Sequence, residues 1–311
     1  MSEQVQPFLI NNEYGTGYLP DLGDFRDFSP EMMLAPQQIE DPTVKEIAEA
    51  FTNHVDIPAV SAEVLPSTSN FIDLMPPVRN QGSIGSCTAF SVDGIVSYYN
   101  KTMRGRTIPI STLYTYKKSR DLDYSTGDVG SYLRTAMKSL KMYGWIEEKR
   151  YPYIQAKYDN VIPRDLIDYG VENQAISYVR IDSKNQPLNT LVNELKKYVI
   201  KKIPIMFGFS VYSSINQANT NGGLIPYPTA GEKLEGGHAV VIVGYDDNTH
   251  IINRNSSNAT VKGGFIIRNS WSNRWGKNGY GILPYKYVEN QLAMDFWSLL
   301  NLEWLDFSEF D

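Results

Sequence analysis

Cysteine is almost missing from this chain: Cys87 is the single one among 311 residues. An internal disulfide is therefore excluded, and the fold must hold by packing and hydrogen bonding, which suits the cytoplasm or another reducing compartment. Histidine is scarce, with only His54, His238 and His250. Long apolar runs are absent, since no stretch approaches the ~18 residues of a membrane span. The start, "MSEQVQPFLINNEYG", has an early acid and no apolar core, unlike a secretory signal. Without a secretory route the sequons at Asn100 and Asn258 carry no weight. Basic runs are also lacking. The net charge is −6, which argues against general nucleic-acid binding, and the short group Lys117, Lys118 and Arg120 reads as a solvated helix face. No internal repeat or low-complexity tract is present.

What remains is an ordinary soluble composition, 42% hydrophobic and 21% charged, long enough for one large two-lobed domain or two smaller ones. Residues 1–65 have a texture of their own. "YLPDLGDFRDFSP" is rich in turn formers and reads as ordered but irregular. Asp41 and Pro42 then look like a cap and first position of a short helix with Val44, Ile47, Ala48 and Phe51 on one face. The Pro- and Ser-rich residues 56–70 read as a linker. Apolar spacing predicts helices over Cys87 to about Met103, Ser131 to Met142 and Leu188 to Ile200. Beyond Pro204 the runs "IPIMFGF", "HAVVIVGY", "GGFIIRNSW" and "YGILPY" are short, apolar and bounded by glycine, as buried strands are. Helices first and strands later predict an α+β protein.

Cys87 would start its helix, directly after Gly85 and Ser86, where the positive end of the helix dipole lowers a thiol pKa. A free cysteine is more often an inert small hydrophobe, so a nucleophile needs partners. His238 stands at the start of an apolar run behind Gly236 and Gly237, whereas His54 at a helix end and His250 in a polar loop look like surface residues. Asn269, just after "GGFIIR", could orient an imidazole, and Gln81 lies six residues before the cysteine, where it could donate to an oxyanion. Each signal alone has a blander reading as core or turn.

Together these stretches resemble the papain-like cysteine peptidases, the family that includes the cathepsins. "NQGSIGSCTAFS" is similar to the family's nucleophile motif, "GGHAVVIVGY" to its histidine motif and "RNSWSNRWGKNGYG" to its Asn-Ser-Trp motif; "YPYI" at 151–154 matches a further landmark. The resemblance covers residues 71 to about 300 and has the order Gln, Cys, His, Asn. It implies a two-lobed fold with a cleft between a helical lobe (about 71–175) and a barrel-like β-rich lobe (about 176–300), within a peptidase domain of 66–311. It implies Cys87 as nucleophile, His238 as its base, Asn269 as orienter, Trp271 as a shield, and Gln81 with the Cys87 N–H as oxyanion hole. No metal and no cofactor are called for, and the expected partners are protein or peptide substrates.

Relatives carry a disulfide whose two positions fall here on Ile84 and Asp128, so both ends are absent together. Their substrate-binding glycine pair becomes Gly130-Ser131, and Thr88 follows the nucleophile in place of tryptophan. The scarce, scattered histidines favour an endopeptidase. The pocket for the second residue before the scissile bond would be lined by Tyr132, Leu133, Gly208 and Gly236, roomy and apolar, for bulky hydrophobic or aromatic side chains. Residues 1–65 would be a propeptide, or a permanent segment of the kind seen in prokaryotic and large-virus members. A catalytically silent binding or structural module is the competing class, and an acyl transferase a further one.

Overall fold

The computed structural model describes residues 9–11, 13–21, 65–182, 187–256 and 259–302, with the isolated positions 27, 29 and 45. His54 and, apart from Lys45, the helix expected after Pro42 lie outside these residues. Three short strands come first: β1 (Leu9–Ile10) and β2 (Tyr14–Gly15) pair antiparallel, and β3 (Tyr18–Leu19) pairs much further along the chain. The end of the stretch read as linker supplies β4 (Thr68–Asn70).

Helix α1 (Cys87–Arg104) forms where the apolar spacing predicts and ends at Gly105, whose φ of 62° gives the left-handed C-cap that glycine adopts without strain. It is buried nearly all round. Its buried carboxylate is satisfied, Asp93 Oδ1 accepting from Ser97 Oγ at 2.8 Å and from the Ile110 N–H at 3.1 Å.

Helix α2 (Thr112–Leu122), capped by Ser111 Oγ on the Tyr114 N–H, appears in the sequence reading only as the solvated helix face of Lys117, Lys118 and Arg120, because its sequence is polar. That polarity misleads. Lys117 and Lys118 are largely covered and Arg120 is wholly buried, so the expected solvated face is an interior one. Arg120 pairs with Asp159 at 2.9 Å and lies over the rings of Tyr116 and Tyr158, the pairing that makes a buried guanidinium tolerable.

Strand β5 (Ser131–Tyr132) takes the first two residues of the expected second helix, which begins instead as α3 (Leu133–Tyr143). The reason is tertiary: the Ser131 N–H donates to the Gly17 carbonyl at 2.8 Å, and β3 runs parallel to β5. Then come α4 (Arg164–Val171), β6 (Ala175–Arg180) and α5 (Leu188–Ile200), the last as expected. The four glycine-bounded runs form β7 (Ile205–Tyr212), β8 (Leu234–Ile252), β9 (Thr260–Arg268) and β10 (Tyr280–Pro284). His250 is exposed as expected, but on β8 rather than in a loop. Helix α6 (Tyr285–Glu289) and β11 (Ala293–Leu302) complete the order.

The sheet runs β10-β9-β8-β7-β11-β6, antiparallel throughout, with β4 added to β8. Helices thus dominate the first half and an antiparallel sheet the second, the expected α+β arrangement. Helix α1 lies against β8, close enough that a Cβ on Gly94 would meet Val241 at 3.1 Å. The Gln81 N–H donates to the Ser270 carbonyl at 2.8 Å, which ties the segment before α1 to the loop after β9.

Candidate active site

The sheet register brings the chemistry together. His238 lies on β8 opposite Phe209 of β7, and Asn269 follows the last residue of β9. Asn269 Oδ1 accepts from the Ser270 N–H at 2.7 Å and lies 2.7 Å from His238 Nε2. An oxygen facing that ring nitrogen requires Nε2 to carry the proton, so Nδ1 is the basic nitrogen, and among the described residues it has no hydrogen-bond partner. Trp271 stacks on the imidazole with centroids 4.4 Å apart and closes the His238–Asn269 contact from water.

Cys87 opens α1 with its sulfur facing the backbone N–H groups of Ala239, Gly17, Thr88 and its own. Ala239 is the neighbour of His238, so thiol and imidazole share one corner. Gln81 is held at both ends. Its Oε1 accepts from Ser270 Oγ at 2.6 Å, while Nε2 donates to the carbonyls of Gly15 and Ile84, each at 3.0 Å.

The cleft is filled by the protein's own N-terminal segment. Tyr14 stacks on Trp271 at 5.4 Å, the Gly15 carbonyl occupies the Gln81 amide, and the Gly17 N–H donates to Gly237 at 3.1 Å. At Gly17 and Gly130 no side chain fits. A Cβ on Gly17 would lie 2.0 Å from the Gly85 carbonyl oxygen, and one on Gly130 would lie 2.2 Å from that of Gly17. The Tyr18 ring then enters a slot against Gly208 and Gly237, and its hydroxyl donates to Asp295 Oδ2 at 2.9 Å.

Burial under this segment sets the charge state. It pushes the Cys87 thiol up to about 11, against the opposing pull of the surrounding backbone N–H groups. Burial likewise draws His238 down to about 4, opposed by its bond to Asn269. With the cleft covered, thiol and imidazole are both neutral.

Gln81, Cys87, His238, Asn269 and Trp271, predicted from sequence, thus meet in one place. Gly130 and Ser131 flank the covering segment, Tyr132 pairs with Leu19, and Leu133 is buried at the start of α3. Gly208 faces Tyr18; on β8 the contact to that ring is made by Gly237, neighbour of Gly236. The expectation of a purely apolar pocket is corrected by Asp295, a buried carboxylate at its end. Sequence reasoning missed Tyr14, Gly15, Gly17 and Tyr18, for which the only signal was glycine alternating with aromatics in "YGTGY".

Where relatives carry a disulfide, Asp128 Oδ1 here accepts from the Gly85 N–H at 2.9 Å and the Tyr116 hydroxyl at 2.6 Å. Asp128→Ala leaves both donors unpaired, and urea unfolding should register a loss of about 1–3 kcal/mol.

The sequence model of the papain family cysteine proteases matches residues 67–295. A peptidase C1-like protein of Acanthamoeba polyphaga mimivirus is 32% identical over 223 residues, 70% of this chain and 68% of that one. Chymopapain of Carica papaya is 29% identical, over 87% of this chain and 68% of its own. Among solved structures, xylellain, a cysteine protease from Xylella fastidiosa, superposes with a TM-score of 0.69 at 29% identity, covering 92% of this chain and 96% of that one. Fold and family together define a hydrolase acting on peptide bonds. The chain belongs to the papain family of cysteine proteases.

Proposed function

We propose that the protein is an endopeptidase of the Cys-His-Asn type, held closed by residues that precede its catalytic domain. The observation that carries the reading is the His238–Asn269 bond, which fixes the tautomer and leaves Nδ1 as the basic nitrogen, on the residue next to Ala239, whose backbone faces the Cys87 sulfur. His238 takes the thiol proton as the sulfur attacks the substrate carbonyl. The oxyanion draws on the Gln81 amide and the Cys87 N–H. His238 then protonates the leaving amine, and the acyl group remains on the sulfur as a thioester. Water, deprotonated by His238, releases the acid and restores the thiol. Residues 66–311 are the peptidase domain in this reading, with lobes near 71–175 and 176–300, and the substrates are proteins or peptides. The single thiol suits a reducing compartment; among the described residues no helix is long and apolar enough to cross a membrane.

Opening and charging are linked in this scheme. The covered site holds its thiol proton up to about 11, so between roughly pH 9 and 11 the covered state binds more protons than an open one and is destabilised as pH rises. His238, drawn down to about 4, acts oppositely: between about 6.5 and 4 an open state binds the extra proton. Iodoacetamide alkylation of the intact chain should therefore be slow at neutral pH and climb through pH 9–11 without a neutral plateau. The opened enzyme, relieved of that burial, should begin its rise at lower pH, and identical profiles would contradict the linkage.

The direct test is labelling of Cys87 by an epoxysuccinyl inhibitor, with Cys87→Ala as control and mass spectrometry following residues 1–65. Labelling that appears as the segment is shed supports a zymogen. Labelling and turnover in the uncut chain would make the segment a permanent, displaceable part. No labelling in any form at neutral pH would favour a silent binding module.

A further inference from the structure

Asp295 is a buried charge that the proposed mechanism does not use. Its side chain is fully covered, and its backbone has a φ of 64°, a left-handed conformation that costs an aspartate energy and concentrates at functional positions. The strain is held in place by Asp182, which accepts from the Asp295 and Phe296 N–H groups at 2.8 and 2.9 Å.

The two carboxylate oxygens have different partners. Oδ1 faces the protein's interior, paired with the Arg180 guanidinium at 2.8 Å and reached by Trp297 Nε1 at 3.3 Å. Oδ2 faces the slot, and among the described residues its donors are the Tyr18 hydroxyl and the Asp21 N–H, each at 2.9 Å. Both belong to the covering segment. When that segment leaves, Oδ2 is stripped of its donors at the end of a closed pocket, a costly position for a buried acceptor.

The slot reaches a peptide substrate by the route that admits Tyr18. Gly17, the neighbour of Tyr18, lies by the Cys87 sulfur with its N–H given to Gly237, while β3 lies along β5. An extended peptide on β5 places one side chain in the same slot. A Cβ on Gly208 would fall 2.1 Å from the Tyr18 ring, so the missing side chain creates a flat space of ring thickness.

We propose that Asp295 is a specificity-determining residue of this pocket, selecting peptides that insert a tyrosine there, with the phenolic hydroxyl replacing that of Tyr18 on Oδ2. Phenylalanine fills the same flat space but leaves Oδ2 unpaired. Arginine could also meet Oδ2, because Arg180 is shared between Asp295 and Asp182, but its thin aliphatic stem leaves the ring-shaped space beside Gly208 unfilled. The inference rests on the reading of Cys87 as the nucleophile.

The test uses enzyme generated from the full-length chain, its active sites counted by covalent inhibitor at Cys87. Fluorogenic peptides differ only in Tyr, Phe, Leu or Arg at the second residue before the scissile bond. Tyrosine should exceed phenylalanine in kcat/KM by roughly 10- to 100-fold, the value of a hydrogen bond to a charged acceptor. Asp295→Asn, whose residue type tolerates the left-handed backbone, should bring that ratio close to one. In the full-length chain Tyr18→Phe should label faster at Cys87 than wild type, a readout that needs no Asp295 variant to fold. Phenylalanine equal to tyrosine, arginine preferred over both, or unchanged labelling of Tyr18→Phe would each overturn the inference while leaving the peptidase reading intact. Failure of Cys87 to label in any form would remove the peptidase reading itself, and the specificity with it.

Discussion

Gly17→Val should unmask the active site of the full-length protein. The new side chain has nowhere to go, because a Cβ at this position falls 2.0 Å from the Gly85 carbonyl oxygen, and both partners are backbone. Nothing flexible can give way, so the segment must leave the cleft. Each tenfold shift in the covered population corresponds to about 1.4 kcal/mol, and a backbone clash of this kind costs several times that. Labelling of Cys87 at neutral pH should accelerate by about 100-fold or more. Glu13→Gln, an exposed position in the same segment that keeps a hydrogen-bonding partner for Tyr14, is the matched control and should leave the rate near wild type. A Gly17→Val protein that labels as slowly as wild type would show that the segment does not guard the thiol.

The second large effect is loss of turnover. Cys87→Ala and His238→Ala should each lower kcat/KM by roughly 10⁴-fold or more, and their double variant should lose little beyond either alone, since the two act as a unit. Gln81→Ala should cost about 10²- to 10³-fold, as loss of one oxyanion donor does. Gln81 also anchors the Gly15 carbonyl. Gln81→Ala should therefore label faster than wild type in the uncut chain while turning over more slowly once opened. Circular dichroism of each variant checks that the fold survives. Full turnover by Cys87→Ala would place the chemistry elsewhere.

The site was legible in sequence where chemistry demands particular residue types at short range. Gln81 and Cys87 share one loop and helix start, and His238 and Asn269 sit in glycine-flanked runs that fold as neighbouring strands. Helix α1 and strands β7 to β10 were legible because their side chains are apolar and their ends are marked by glycine. Helix α2 was legible only as a solvated face, because Arg120 is buried by pairing with the distant Asp159, and Lys118, paired with Asp121, is covered by the distant Tyr143 ring. Asp295 was hidden for a similar reason. Its place is set by β11 pairing with β7, Met294 opposite Gly208, and by a backbone twist that no local pattern announces. The cleft-filling role of Tyr14 to Tyr18 depends wholly on the surfaces it meets.

The burial of Cys87 has a practical consequence for anyone handling this protein. Because the chain holds one thiol and no other, a bulk thiol assay on the intact protein reads Cys87, the proposed nucleophile, and nothing else. The fraction of chains reacting before denaturation, divided by the fraction reacting after it, measures how many clefts stand open. Oxidative damage is equally undivided: no other cysteine can draw off an oxidant, so cysteine oxidation and inactivation should follow a single curve.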